Sequence, residues 1–166
     1  MEFKLFKEGN YKESLEKLRL LEKDDNFSIM INSAIVNFLA TGSLESEKLL
    51  SSFEEIEKKI NQQNMDKEHS AFCLLYNKSI LLYQLKRYQS SLSVINKLFN
   101  NSELIQDNTL LLNISFLKLE IHLLFQHYFE GINCIKFIEK IISSITNKSE
   151  ILQEHSSLIP SIFFFF

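Results

Sequence analysis

A helix-hairpin pattern recurs four times along this chain, and few folds can accommodate such a recurrence. Its third copy is the clearest: Leu75-Tyr76-Asn77-Lys78-Ser79, then Leu85-Lys86-Arg87-Tyr88, then Ser91-Leu92, Ile95 and Leu98-Phe99. An aromatic after a tight turn, a small residue three later, and apolar residues four and seven beyond the aromatic suit two packed antiparallel helices. The first copy has Gly9-Asn10-Tyr11, Ser14-Leu15, Leu18 and Leu21. The second is looser, with Gly42-Ser43-Leu44 and Leu49-Leu50, and the fourth has His127-Tyr128, Gly131-Ile132, Ile135 and Ile138. The turn residues Tyr11, Leu44, Tyr88 and Tyr128 lie 33, 44 and 40 positions apart, within the range of helical repeat units. One hairpin cannot bury its own apolar face, so several must stack into a shared core. That organisation suits a binding scaffold better than a catalyst.

Composition agrees with helices. Three Gly, one Pro and no Trp in 166 residues leave few breaks for turns and sheets. The balance of 18 Lys and Arg against 21 Asp and Glu lacks the basic excess that phosphate contacts require, so direct nucleic-acid binding is not expected. Cys73 and Cys134 sit in separate apolar stretches and are expected to be reduced, buried thiols. The opening Met1 to Phe6 is interrupted by Glu2 and Lys4 and lacks the apolar run of a leader. The four Asn-x-Ser sequons then carry no meaning. Leu110 to Phe125 is crossed by Lys118, Glu120 and His122, which are costly in lipid, so no membrane span is expected. A soluble, intracellular chain is the expected setting, cytoplasmic first and nuclear only as a second location.

Helical spacing runs throughout, with no sustained strand-like alternation. Residues 2–8 suit the end of one helix. Asn10 can cap the next, with Glu13 reaching back as in a capping box. Asp24, Asp25 and Asn26 stop that helix and start another over 27–41. Ser43 is expected to restart a longer helix through Leu49, Phe53, Ile56 and Ile60. Asn61 to Glu68 is a polar insertion between hairpins. Residues 69–86 with 88–100, and 104–126 with 128–145, form the last two hairpins. The repeats are thus expected to fill residues 1–146, about four hairpins with the first incomplete. Residues 147–166 are expected to be an irregular or foreign tail, ending in four phenylalanines. The chain would then be the first part of a longer array; an anchor against the last helix is the other role for that tail.

The spacing of small and aromatic residues resembles the tetratricopeptide repeat, with Ser14, Ser91 and Gly131 in the small position and Glu47 breaking the rule in the second copy. More narrowly, four stretches resemble, in order, the N-terminal region of the tenth subunit of the CCR-NOT mRNA deadenylase complex. These are Phe6-Lys7-Glu8-Gly9-Asn10-Tyr11, Ile29 to Phe38, Leu75 to Tyr88, and Phe137-Ile138-Glu139-Lys140-Ile141-Ile142. The resemblance implies an all-α, right-handed α-solenoid of stacked antiparallel hairpins. It implies a non-catalytic scaffold that supports poly(A)-tail shortening, mRNA turnover and translational repression. It implies as partners the eleventh subunit and the large scaffold subunit of that complex, with no cofactor and no small-molecule substrate. An unrelated tetratricopeptide adaptor is the alternative, and a small helical enzyme or metal protein is a third reading.

In tetratricopeptide proteins set positions of each first helix line the inner groove. Here they fall on Ile29, Asn32, Ser33, Val36, Leu39 and Ala40, then on Cys73, Tyr76, Asn77, Ile80, Tyr83 and Gln84, and then on Asn113, Phe116, Leu117, Glu120, Leu123 and Leu124. Asn32, Val36, Tyr76, Asn77, Ile80, Tyr83, Asn113 and Phe116 are the expected partner contacts, although any of these residues would serve equally as inter-repeat core. None is Lys or Arg, which disfavours capture of a peptide carboxylate and favours an apolar partner segment. His122 and His127 lie five apart, on different helix faces, and with Glu120, Cys134 or His155 give no zinc spacing. No metal site is expected. Gly9, Gly42 and Gly131 are too few for a phosphate loop, and no strained turn presents a nucleophile.

Overall fold

A computed structural model describes residues 9–21, 26–42, 45–65 and 68–152. Among these, regular structure is helical throughout: α1 (Tyr11–Leu21), α2 (Phe27–Ala40), α3 (Ser46–Gln62), α4 (His69–Gln84), α5 (Tyr88–Asn100), a 3-10 turn (Ser102–Leu104), α6 (Asn108–Leu124) and α7 (Tyr128–Leu152).

Local signals set most boundaries. Asn26 Oδ1 accepts from the Ser28 amide at 3.0 Å and more weakly from the Ile29 amide, capping α2 as its sequence suggests. Asp107 Oδ1 does the same for the Thr109 and Leu110 amides, so α6 starts at Asn108 and not at 104. The tight turns share one construction. The amide of Arg87 donates to the Leu82 carbonyl and that of Lys86 to the Tyr83 carbonyl; His127 to His122 and Gln126 to Leu123 repeat the pair. This C-terminal closure needs one left-handed residue, and Lys86 (φ 58°) and Gln126 (φ 59°) supply it without being glycine.

The second hairpin departs from expectation. Its left-handed residue is Gly42 (φ 74°), but α3 begins at Ser46, later than the expected Ser43. Residues 43–44, and so the turn residue Leu44, lie outside the described residues. With Ser46 matched to Tyr88, buried Leu49, Leu50, Phe53 and Ile56 fall on Ser91, Leu92, Ile95 and Leu98. The position of the small residue is therefore held by Leu49, not Glu47. Glu47 is exposed and pairs with Arg87. The last helix also differs: α7 runs to Leu152, through the expected boundary at 147, because no Gly or Pro interrupts it before Pro160. Residues 153–166, with the Phe-rich end, lie outside the described residues, as do residues 1–8.

Each helix packs on its sequence neighbour, and the first helices of successive hairpins, α2, α4 and α6, also touch in series. Two apolar clusters result. One joins α2, α3 and α4 through Phe27, Ile31, Phe53, Ile60 and Leu74; the other joins α4 to α7 through Phe72, Leu92, Ile95, Leu98, Ile114 and Ile121. Helix α4 contributes to both, which is why it is apolar on more than one side.

Candidate functional site

The site is set by what stands where paired helices cross. In the third hairpin Ser79 and Ser91 are both fully buried, and Ser91 Oγ donates to the Ser79 carbonyl at 2.8 Å. In the fourth, the same places hold Leu119 and Gly131, a large residue against none. In the second they hold Ile35 and Leu49, two large residues, and here the chain has a cleft. It has a volume of about 300 Å³ and lies between α2, the start of α3 and the end of α4. Its walls are Ile35, Phe38 and Leu39 from α2, Ser46, Leu49 and Phe53 from α3, and Asn77, Ile80, Leu81 and Gln84 from α4. Most of that lining is apolar, with amide and hydroxyl groups from Asn77, Gln84 and Ser46 and no Lys or Arg.

The expected contact residues do not all meet there. Asn77 and Ile80 line the cleft, and so do Leu39 and Gln84 from the wider groove set. The Asn77 amide donates to the Cys73 carbonyl at 2.9 Å, which fixes it along its own helix. Asn32 is exposed on α2 outside the cleft, while Val36 is buried at 4 % exposure and unavailable to a partner. Tyr76 is half-buried in the second cluster, and burial pushes its phenol up to about 12. Tyr83 is half-buried too; its ring meets the edge of Tyr88 at 5.2 Å and its hydroxyl donates to the Glu120 carboxylate. Burial, and then Glu120, push its phenol up to about 12. Tyr83 thus ties α4, α5 and α6 together. Asn113 is half-buried and Phe116 half-exposed, both on α6 and away from the cleft.

Sequence reasoning missed Ile35, Phe38, Ser46, Leu49, Phe53 and Leu81. Ser46, Leu49 and Phe53 stand on a second helix, whereas the groove positions lie on first helices; Ile35, Phe38 and Leu81 stand on first helices but beside those set positions. The absent small residue in the second copy was the available signal, since two bulky residues at a crossing hold helices apart.

Charge is handled beside the site, not within it. Lys78 Nζ reaches Glu57 at 2.7 Å and Glu54 at 3.8 Å, and the Arg87 guanidinium forks onto Glu47, with its shorter contact at 2.6 Å. Both links cross from α3 to the α4–α5 hairpin. Burial pushes the Cys73 thiol up to about 11, with Asp107 adding to the rise, and burial also raises Cys134. Thiols so held are poor nucleophiles at neutral pH. His122 Nδ1 and His127 Nδ1 stand 3.5 Å apart. Among the described residues no three His, Cys, Asp or Glu side chains gather as metal ligands, and no helix is long and apolar enough to cross a membrane. No protein-family model matches the chain.

Proposed function

We propose that this chain is a non-catalytic protein-binding scaffold, built as a right-handed α-solenoid of tetratricopeptide type, whose cleft between α2, α3 and α4 seats an apolar segment of a partner protein. The cleft carries this reading: an apolar hollow of about 300 Å³ with a few amides at its wall and no cation in its lining. Such a lining gains free energy from an aliphatic or aromatic side chain and offers nothing to offset desolvation of a carboxylate or phosphate. The serial contacts of α2, α4 and α6 support the stacked architecture. The four stretches quoted above support a place in the CCR-NOT deadenylase complex, with its eleventh and large scaffold subunits as partners, in the cytoplasm and nucleus.

The test is a pull-down from native cell extract with the full chain as bait, alongside Leu39→Asp and Ile80→Asp. Both residues are half-buried at the cleft, so both variants should stay folded while losing the partner. Deadenylase subunits recovered by the parent chain and lost by both variants are the expected result. Other proteins, lost in the same way, would assign the scaffold to a different assembly. Recovery indifferent to both substitutions would remove the cleft from the account.

A further inference from the structure

The α4–α5 hairpin holds α6 in a groove, and the next hairpin presents the same groove with its walls bare. Tyr76, Tyr83, Tyr88, Leu92 and Ile95 pack into the cluster that α6 completes. Forty positions on, in the same turn geometry, stand Phe116, Leu123, Tyr128, Ile132 and Ile135. Leu92 is 7 % exposed where Ile132 is 51 %, and Ile95 is 0 % exposed where Ile135 is 44 %. Phe116, Leu123 and Tyr128 are likewise at least half exposed. One further correspondence adds charge. Lys118 of α6 sits with Nζ 3.7 Å from the Phe99 ring centroid, and the counterpart of Phe99 is exposed Glu139.

We infer that the α6–α7 groove is a docking site for one amphipathic helix from a partner protein, bearing an apolar stripe like that of α6 and a Lys that meets Glu139. The site continues, one repeat on, an interface the chain already makes within itself. It is separate from the α2–α3–α4 cleft, and either can fail without the other. An apolar stripe of this kind left in water is a recognition surface more often than a neutral one. The helix-in-groove mode gives its affinity through buried Leu and Ile anchors and its register through flanking charge.

The probe is a fluorescent synthetic peptide of residues 105–127 of this chain, which carries the α6 stripe, titrated into the full-length protein by anisotropy. Saturable binding is expected, and Ile132→Asp with Ile135→Asp should weaken it about tenfold or more, because each Asp removes a buried aliphatic anchor. Glu139→Lys should weaken it a few-fold, roughly as expected for a surface ion pair, and a peptide with Lys118→Glu should restore it. A photoreactive group at Leu110 of the peptide should crosslink to α6 or α7 and to no residue of α4 or α5, because the protein's own α6 packs on α5 as well as on α7. Crosslinks to α5 instead would mean exchange with the protein's own α6 and overturn the proposal. So would no binding, or binding indifferent to the α7 variants and the charge swap. A protein dimer that Ile132→Asp abolishes would make a second copy the occupant. Tighter peptide binding by Phe163→Ser with Phe164→Ser would make it the chain's own last residues; both outcomes overturn the assignment to a partner.

Discussion

A Cβ added at Gly131 meets Leu119 Cδ1 at 3.6 Å and Leu123 Cδ2 at 3.8 Å, ordinary van der Waals contact. Gly131→Ala should therefore raise stability by about 0.5–1 kcal/mol, the gain in helix propensity, as read by urea denaturation. Ser91, in the same place one hairpin earlier, is fully buried with its hydroxyl on a backbone carbonyl. Ser91→Leu should cost about 1–3 kcal/mol or more through overpacking, although Leu is the natural residue at 49. A loss at 131 as well would mean that the fourth crossing is packed as tightly as the third. His122 is buried, and burial first, then Lys118 and His127, lower its pKa from 6.5 against an opposing pull from Glu130. The unfolded chain then binds a proton more readily than the folded one. Its contribution to stability is whole above 6.5 and declines as pH falls from there toward the lower folded value. The thermal midpoint should drop between about pH 7.5 and about pH 5, and His122→Gln should shrink that drop.

Several of the turns between helices spend one residue in the left-handed region, at Gly42, Asn64, Lys86 and Gln126. Gly42 takes it freely, and nothing within 4 Å of a built Cβ would resist a side chain. The cost of Gly42→Ala is therefore conformational alone, about 1 kcal/mol. Lys86 already carries that cost at φ 58°. Lys86→Gly should accordingly stabilise the protein by about 0.5–1 kcal/mol, partly offset by greater freedom when unfolded. Opposite signs for the two substitutions in thermal denaturation are the expected result; a loss at both would show that the Lys86 side chain matters more than its backbone.

At the scale of the molecule, contacts run between neighbours in sequence, and α4 and α5 each contribute to both apolar clusters. Stability in such a stack is a sum of local terms, and damage should stay local. Leu98 is fully buried in the second cluster. Leu98→Ala should cost about 2–5 kcal/mol and raise hydrogen exchange in α5, α6 and α7 well before α1 and α2. Uniform acceleration across all helices would instead indicate one indivisible core.

The helices themselves were legible in the chain because their causes are local. The apolar period, the Asn26 cap and the tyrosines after the tight turns each act within a few residues. The onset of α3 was not, because the short link after Gly42 shifts it by a distance that no periodicity encodes. The start of α6 is set by the Asp107 cap, a local signal that the apolar Leu104 and Ile105 just before it mask in the helical period. The burial of Val36 and the bond from Tyr83 to Glu120 join residues distant in sequence or placed by neighbouring helices. So does the meeting of Ile35, Leu49 and Ile80 around one cleft. Spacing along a helix states which residues share a face; only the packing of helix on helix decides whether that face is covered, and by what.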